Sequence, residues 1–356
     1  MTFSTNTSPT RRIFNWALIA TAVVGVGGVI AGCGGSDEAN GKKSEPIRLA
    51  FVTNQIANFW NIAEVGAKDA GNDFSEEGSP IEVEVRFPDP GEASVQKRIV
   101  EDLIAAKITG LAISPVDKDL VPTINQWAEK VDLITHDADA PDSNRLVYIG
   151  MDNYKAGRMA GELLTSALPE GGKVAIFVGR LEQDNAIKRR QGVIDVLMGN
   201  ESFSGTYSPT DTVLKNDKYE IVGTFLDQGK SEVALNKAED ALSKYSDLAA
   251  VVGLFEYNPP ELIKAVEKRG KLGEIVIVGF DENDLTLQGI KDGTVVGTIV
   301  QNPYQYGYKS IEILAALARG DQSVIPEDKY IDIPPRSITT DTVDNFWDEK
   351  KSLLSK

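Results

Sequence analysis

The sequence predicts an α/β protein built from two similar, doubly wound lobes with parallel sheets. Two observations predict this fold class. From Ile47 onward, short aliphatic strands alternate with amphipathic helical stretches, and a second series of the same kind begins after Asn153. Repeated β-α units form parallel sheets with helices on both faces, so each series predicts one lobe.

The first series shows both the apolar alternation of a strand and the apolar repeat of a helix. Residues 81–87 alternate apolar and charged side chains, as a strand does, while Val95, Ile99 and Leu103 repeat every four residues, as on one face of a helix. The predicted strands of this series are residues 47–53, 81–87, 111–113 and 131–135, and the predicted helices lie at residues 61–74, around 95–103 and around Trp127.

The second series has the same order of elements. Its predicted strands are residues 173–178, 221–226, 249–254 and 275–280, and its helices lie around residues 183–199, 231–245 and 260–269. In open α/β sheets, ligands bind at the carboxyl ends of the strands. The loops at those ends are rich in Asn, Asp, Gln and aromatic residues, and they begin at Asn54, His136, Gly179, Asp227, Phe255 and Asp281. We therefore expect the functional residues in these loops.

The N-terminus has the organisation of an export signal. Arg11 and Arg12 precede an uncharged apolar segment, residues 16–31, that is too short for a comfortable membrane span. We therefore predict that this segment is a removable export signal. Residues 10–14 also resemble a twin-arginine export motif, so this route stays open beside the general secretory route.

The end of this segment resembles a lipoprotein cleavage site. Residues 30–32 are the aliphatic and small residues of a lipobox, and Cys33, the only cysteine of the chain, follows them. We predict a signal peptide over residues 1–32, lipidation of Cys33 and a solvated tether over residues 33–46. An ordinary signal peptide and an uncleaved anchor are the alternatives.

The composition excludes several classes of protein. The 356 residues include 53 acidic and 37 basic side chains, a net charge of −16, and such a surface repels phosphate backbones and anionic lipid heads. Nucleic acid is therefore not an expected partner, and membrane contact is expected through the lipid anchor only. With His136 as the only histidine and Cys33 lipidated, a Cys/His zinc site is excluded, and we expect no metal and no cofactor. About 310 residues remain to fold, which suits two domains in a monomer.

Six short motifs occur in a characteristic order. They are T-N-Q-I-A-N-F-W from Thr53, T-H-D-A-D from Thr135, N-A-I-K-R-R-Q-G from Asn185, Y-N from Tyr257, V-G-F-D from Val278 and I-V-Q from Ile299. In this order and at these spacings the chain closely resembles the periplasmic sugar-binding proteins of the ribose- and galactose-binding type, the ligand receptors of ABC importers. The resemblance covers residues 47–345. It implies a type I periplasmic-binding-protein fold, with a hinge between the lobes and a ligand cleft between them.

The resemblance also implies how the chain divides. The N-terminal lobe takes residues 47–151 and about 302–330, and the C-terminal lobe takes residues 152–301 and about 331–345. The chain then crosses between the lobes near Gly150–Asp152 and again near Gln301–Pro303. We predict that these two segments are hinges.

The same resemblance implies roles for individual residues. Phe59 and Trp60 stand where the family places aromatic rings that stack on a sugar face, and Asn54 lies in the loop that bonds a hydroxyl. Asp137 matches the aspartate that accepts hydrogen bonds from vicinal hydroxyls. The other predicted ligand-binding residues are Asn185, Arg189, Asn258, Asp281 and Gln301. No residue is predicted to be catalytic, and His136 is expected behind the binding residues.

The chain departs from the ribose-binding pattern at two positions. Ala138 follows the aspartate where those proteins have an arginine, and Ile187 stands where a second sugar-contacting arginine is expected. Arg189 or Asn185 can compensate for these losses. The identity of the sugar is thereby left open.

Each predicted site residue also has a structural interpretation. The two aromatic residues suit a core position at the start of a helix, and the two aspartates suit turns or caps after a strand. Asn258, which precedes two prolines, suits a helix cap, and Arg189 suits a structural ion pair. From the residues alone, both interpretations stay open.

Together these observations predict a receptor anchored by lipid on the periplasmic or cell-surface side. It binds a monosaccharide or related polyol and, by hinge closure, delivers it to an ABC permease in the inner membrane. The chain has no G-x-x-x-x-G-K-[ST] loop, so the energy must come from a partner. A receptor that feeds a sensor kinase or chemoreceptor is the main alternative. An exported carbohydrate-active enzyme is less favoured, because the chain has no G-x-S-x-G elbow and its acids are interleaved with amides.

Overall fold

The structure is a computed structural model that describes residues 45–76 and 79–355. The predicted signal peptide, Cys33 and all but the last two residues of the predicted tether lie outside the described residues. Within the described ranges, no helix is long and apolar enough to cross a membrane.

Strands and helices alternate along most of the chain. The strands are β1 Ile47–Val52, β2 Ile81–Arg86, β3 Gly110–Ile113, β4 Asp132–His136, β5 Tyr148–Gly150, β6 Gly172–Val178, β7 Leu214–Lys215, β8 Tyr219–Leu226, β9 Leu248–Gly253, β10 Val276–Phe280, β11 Gly297–Val300, β12 Tyr330–Asp332 and β13 Arg336–Ile338. The helices are α1 Asn58–Asp73, α2 Ala93–Ala105, α3 Val121–Ala128, α4 Asn153–Ala167, α5 Asp184–Met198, α6 Ser231–Lys244, α7 Asn258–Lys268, α8 Asp284–Lys291, α9 Pro303–Ala318 and α10 Val343–Leu354.

The first sheet has the strand order β2-β1-β3-β4-β5-β12, and all of its strands are parallel. Helices α1 and α9 cover one face, and α2 and α3 cover the other. Strand β3 shows why a strand between two helical layers is apolar throughout. Ala112 packs into the core under α1 and α9, whereas Leu111 and Ile113 pack into the opposite core. These elements form the N-terminal lobe.

The second sheet has the strand order β7-β8-β6-β9-β10-β11-β13. Its central strands are parallel, and only the edge strands β7 and β13 run antiparallel to their neighbours. Helices α4 and α5 cover one face, and α6, α7, α8 and α10 cover the other. These elements form the C-terminal lobe.

The described chain passes from one lobe to the other at three places. It leaves the N-terminal lobe after β5 at Met151–Asp152, returns after β11 at Gln301–Asn302, and leaves again between β12 and β13 at residues 333–335. The return through α9 and β12 makes each lobe discontinuous in sequence.

The predicted fold class is confirmed by these two sheets. Strands β5, β7, β12 and β13 were not predicted, because runs of two or three residues show no period. Strand β11 was also not predicted, although it is as long as the predicted β3. Helix α7 begins at Asn258 instead of residue 260, since proline is tolerated in the first helical turn, where the backbone N–H has no partner within the helix. The prediction that His136 begins a loop is wrong: it is the last residue of β4.

Candidate functional site

A cavity lies between the lobes, where the carboxyl ends of the two sheets meet. It contains about 400 Å³ of empty space, part of it open to solvent. Of the nine predicted ligand-binding residues, eight line it: Asn54, Phe59, Trp60, Asp137, Asn185, Arg189, Asp281 and Gln301. The structure adds Gln55, Ala57, Gln183, Phe255 and Glu256 to the wall. A concave site with aromatic and convergent polar side chains has the general character of a small-molecule site.

Asp137 is held at the end of β4 by its own backbone. Its φ of 58° lies in the left-handed region, which Asp tolerates better than most residues. Its N–H donates to the carbonyl of Ile149 at 3.1 Å, and its carbonyl accepts from the hydroxyl of Tyr148 at 2.8 Å. These bonds orient the side chain into the cavity.

The carboxylate of Asp137 connects both lobes. Its Oδ2 accepts from Asn54 Nδ2 at 3.3 Å and Ser114 Oγ at 3.0 Å in its own lobe, and from Asn185 Nδ2 of the other lobe at 3.4 Å. Its Oδ1 lies 3.8 Å from the guanidinium of Arg189. Burial raises the pKa of Asp137, whereas the charge of Arg189 and these hydrogen bonds oppose the rise.

Asp281 occupies the equivalent position at the end of β10. It has a φ of 63°, its N–H donates to the carbonyl of Ile299 at 2.8 Å, and its carbonyl accepts from Thr298 Oγ1 at 2.8 Å. Its Oδ1 accepts from Gln301 Nε2 at 2.9 Å, and its Oδ2 lies 4.0 Å from Arg189. Burial raises the pKa of Asp281 to about 7, although Arg189 and Gln301 act to lower it.

Arg189 lies between the two aspartates and is almost fully buried. Its Nε donates to Asn153 Oδ1 at 2.9 Å and its Nη1 to the carbonyl of Leu254 at 3.1 Å. The guanidinium also packs over the rings of Phe255 and Phe280, with its Cζ 5.6 and 4.8 Å from their centroids. The residue is thus both a structural ion-pair partner and a cavity residue.

Two buried polar atoms of the cavity have no hydrogen-bond partner within the described residues. They are Nη2 of Arg189 and Oδ1 of Asn185, both from α5. Buried polar groups are normally satisfied, so a pair of unsatisfied ones on a cavity wall indicates a place for a polar ligand.

Two glycines allow α5 to approach α4 closely enough to bring Arg189 into this position. A Cβ atom on Gly157 would lie 2.1 Å from the backbone oxygen of Arg189, and one on Gly192 would lie 2.2 Å from the backbone oxygen of Tyr154. Any larger residue would force the helices apart. The close helix pair therefore sets the position of the guanidinium.

The two predicted aromatic residues serve the core and the cavity together. Phe59 and Trp60 are 6% and 2% exposed, belong to the core under α1 and α9, and still line the cavity. Trp60 donates from Nε1 to Asn54 Oδ1 at 3.3 Å, which orients the amide that meets Asp137. The core interpretation and the cavity interpretation both describe these rings.

His136 lies in the layer behind this wall and does not line the cavity. Its ring stacks on Phe51 at 4.0 Å and meets Trp60 edge-on at 5.5 Å. Burial lowers its pKa to about 3, so the imidazole is neutral at physiological pH. Its contacts are those of a core residue.

Asn258 is the predicted binding residue that the structure leaves outside the cavity. Its Oδ1 accepts from the backbone N–H of Phe255 at 3.1 Å, and its Nδ2 donates to Asp227 Oδ2 at 2.8 Å. Asp227 also accepts from the hydroxyl of Tyr257 at 2.6 Å. This network fixes the loop after β9, which carries two cavity residues that were not among the predicted ligand-binding residues, Phe255 and Glu256. The carboxyl-end rule did mark this loop, but it could not say which side chains point inward.

The two departures from the ribose-binding pattern have clear locations. Ala138 is buried and does not line the cavity, and Ile187 borders a separate groove. Arg189 and Asn185, which were predicted to compensate, both line the cavity.

In the described ranges, no group of three or more His, Cys, Asp or Glu side chains is placed to hold a metal ion. The site is therefore a set of hydrogen-bonding groups and rings around one guanidinium.

Two α/β lobes with a polar cavity between their strand ends are typical of two-lobe ligand receptors. Residues 49–322 match the family model of the periplasmic binding protein domain. The chain belongs to that family, and the resemblance predicted from its motifs is confirmed at the family level.

The chain is similar, at low identity, to named relatives and to solved structures. The D-ribose/D-allose-binding protein of Pseudomonas aeruginosa is 25% identical over 306 residues, which cover 83% of this chain and 89% of that protein. The structure of GanP, a glucose-galactose binding protein from Geobacillus stearothermophilus, has a TM-score of 0.73 at 26% identity and covers 84% of this chain and 99% of its own. A solute-binding protein of Burkholderia graminis in complex with D-arabinose has a TM-score of 0.72 at 25% identity, over 83% and 96% of the two chains.

Proposed function

We propose that this protein is a lipid-anchored extracytoplasmic receptor that binds a monosaccharide or related polyol between its lobes and delivers it to an ABC import permease. The observation that carries the proposal is the placement of Asp137 and Asp281, one from each lobe, on either side of Arg189. The sugar-binding relatives support the same class of ligand.

The chemistry of the wall suits a polyhydroxylated ligand. An ionised carboxylate accepts strong hydrogen bonds from neighbouring hydroxyls, and amides both donate and accept. Nη2 of Arg189 lies 3.8 Å from Asp137 but makes no hydrogen bond in the described residues, so it can donate to a ring or hydroxyl oxygen. Oδ1 of Asn185 also makes no hydrogen bond there, so it can accept from a hydroxyl. Phe59, Trp60 and Phe255 supply apolar surface for the C–H face of a sugar.

Binding is expected to close the cleft. The lobes already meet through Asn185 and Asp137, and Arg180 Nη1 donates across the cleft to the carbonyl of Gly91 at 2.9 Å. A ligand bonded to both aspartates adds to these cross-lobe contacts, so it favours the closed state over an open one.

Isothermal titration calorimetry of the full-length chain in detergent, against a panel of monosaccharides and polyols, tests the binding proposal. We expect at least one compound to bind, and we expect Asp281→Asn to weaken that binding. If no compound in the panel binds, the proposed function is wrong.

Small-angle scattering with a sugar shown to bind tests closure. The radius of gyration is expected to fall, and the tryptophan fluorescence response is expected to be reduced in Trp60→Phe. An unchanged radius, together with a response that survives the substitution, would indicate a rigid pocket elsewhere.

The anchor and the partner need separate experiments in the native host. If Cys33 is lipidated, Cys33→Ala should move the protein from the membrane to the soluble fraction. Uptake of a labelled sugar in a strain that lacks this chain distinguishes the two partner classes. Lost uptake supports a permease, whereas normal uptake with a lost sugar response supports a sensor kinase or chemoreceptor.

A further inference from the structure

The cavity wall carries more negative than positive charge. Its charged residues are Asp137, Asp281, Glu256 and Arg189, so three carboxyl groups surround one guanidinium. Arg189 already lies within 4.0 Å of both aspartates. Glu256 is therefore the acid for which the wall offers no opposite charge.

On the side away from the cavity, Glu256 also has no ion-pair partner in the described residues. Its Oε1 accepts from Asn283 Nδ2 at 2.8 Å, and it forms no ion pair with a lysine or arginine in the described part of the chain. The charge of Lys350 acts on it, but that ammonium is bonded to the carbonyl of Glu282 at 2.6 Å and to Asp284 Oδ1 at 2.8 Å. Burial raises the pKa of Glu256.

The excess charge extends into the wall behind the cavity. The charge of Glu256 contributes to the raised pKa of both Asp281 and Glu282, so these three acids repel one another electrostatically. Glu282 is itself buried, and neither of its carboxyl oxygens has a hydrogen-bond partner in the described ranges. Like charges that are partly desolvated together destabilise a site unless a proton or a cation neutralises them.

We propose that the ligand brings this cation: it is an amino sugar or amino polyol whose ammonium group faces Glu256. This inference rests on the proposed sugar-binding function and narrows its substrate class. The ammonium supplies three donors and one positive charge to a wall rich in acceptors. The hydroxyls are then left to Asp137, Asp281, Nη2 of Arg189 and Oδ1 of Asn185, the last two of which make no hydrogen bond in the described residues.

Paired ligands test the proposal on the full-length chain in detergent. Calorimetry compares 2-amino-2-deoxy-D-glucose, -galactose and -mannose with the parent hexoses, and 1-amino-1-deoxy-D-glucitol with D-glucitol, at neutral pH. N-acetyl-D-glucosamine serves as an amine-derived ligand without charge. We expect at least one amine to bind roughly tenfold to hundredfold more tightly than its hydroxyl parent, the range of a charge-assisted hydrogen bond.

Substitutions then assign the preference to one residue. Glu256→Gln keeps the shape and the acceptor for Asn283 but removes the charge, so it should abolish the preference while the parent sugar still binds. Glu256→Asp keeps the charge and should keep the preference. Glu274→Gln makes the same charge change at an exposed position outside the cavity and should change nothing. Unfolding midpoints of all variants establish that each is folded.

The outcomes separate this inference from the function on which it rests. If a hydroxyl parent binds as tightly as every amine, the ammonium proposal is overturned and sugar binding stands. If the amine preference survives Glu256→Gln, the assignment to Glu256 is overturned. If neither amines nor parents bind, the proposed function itself fails.

Discussion

The two ends of the cavity use one backbone arrangement in two electrostatic settings. Asp137 and Asp281 both follow a central strand, both have a positive φ near 60°, and each bonds through its own N–H and carbonyl to the neighbouring strand. The side chains differ in their partners. Three hydrogen bonds reach the Asp137 carboxylate from both lobes, whereas Gln301 is the bonded side chain at Asp281.

This difference shows what a repeated fold unit determines and what it leaves open. The strand-end geometry places a carboxylate at the cleft in each lobe. Whether that carboxylate is compensated depends on neighbours from other elements: amide and hydroxyl groups surround Asp137, while the charges of Asp281, Glu256 and Glu282 act on one another. In the N-terminal half of the site, hydrogen-bond donors therefore stabilise the carboxylate charge, whereas in the C-terminal half neighbouring acids oppose it.

The largest effect is expected from the residue that both halves share. Arg189→Met leaves two buried carboxylates without their common cation, and removing one partner of a buried charge pair costs about 3–5 kcal/mol. We expect a large loss of unfolding free energy in denaturant titrations and no measurable sugar binding.

Arg190→Met is the matched control for this prediction. Arg190 is also buried on α5, but it bonds to Thr224 and to the carbonyls of Ser208 and Pro209, away from the cavity. It should lose stability and keep sugar affinity. Equal affinity losses in both variants would contradict a special role for Arg189.

The next effect concerns the two aspartates themselves. Asp137→Asn and Asp281→Asn keep the shape and much of the turn, so a purely structural role would leave affinity unchanged. Removing a charged partner from a desolvated bond costs about 2–5 kcal/mol, or roughly thirtyfold to several thousandfold in affinity. Calorimetry should show the larger loss for Asp137, because it also holds Asn185 of the other lobe. The reverse order would contradict our comparison of the two halves.

A smaller effect is expected from pH on the empty protein. The pKa of Asp281 is raised from 3.8 to about 7 on folding, so between these values the folded chain keeps a proton that the unfolded chain releases. The stabilisation that Asp281 contributes is therefore present near pH 4 and is lost as the pH rises through 7. The pKa of His136 is lowered from 6.5 to about 3, so its contribution to the unfolding free energy rises with pH between these two values, opposite to that of Asp281.

The difference between the wild type and Asp281→Asn removes the contribution of His136, because both proteins contain it, and reports Asp281 together with the acids coupled to it, Glu256 and Glu282. We expect the unfolding free energy of the wild type, relative to the variant, to fall between pH 5 and pH 8. A difference that is flat over this range would show that Asp281 is ionised throughout.

The smallest effect is expected from the contact that joins the two halves. Asn185→Ala removes one long hydrogen bond across the cleft, at 3.4 Å, and one unpartnered oxygen. A single such bond is worth about 0.5–1.5 kcal/mol, so affinity should fall roughly twofold to twelvefold. Lys188→Ala, which changes the same helix outside the cavity, should leave affinity unchanged. A loss as large as that of Asp137→Asn would mean that the cross-lobe bond dominates binding.

Most of the fold and much of the site could be predicted from the chain alone. The β-α periodicity predicted two parallel sheets, and five of the six loops marked by the rule that ligands bind at strand ends carry residues that line the cavity. Periodicity did not assign β12 and α9 to the N-terminal lobe. Their assignment depends on the pairing of β12 with β5 and on the packing of α9 against α1, and these partners are far away in sequence. Asn258 and Glu256 show the same limit within one loop: the side chain that was named supports the loop from behind, and its unnamed neighbour lines the cavity.

The sequence by itself determined which residue types meet at the cleft, since a strand followed by Asp, Asn or an aromatic residue delivers those groups to the sheet edge in any packing of this fold. Only the tertiary structure decided their charge balance. Arg189 reaches both aspartates because α5 packs closely on α4 through Gly157, and Glu256 is left without a cation because Lys350 is bonded elsewhere. The energy of a buried charge depends on distances of a few ångströms to groups from other elements, and no local pattern in the chain specifies those distances.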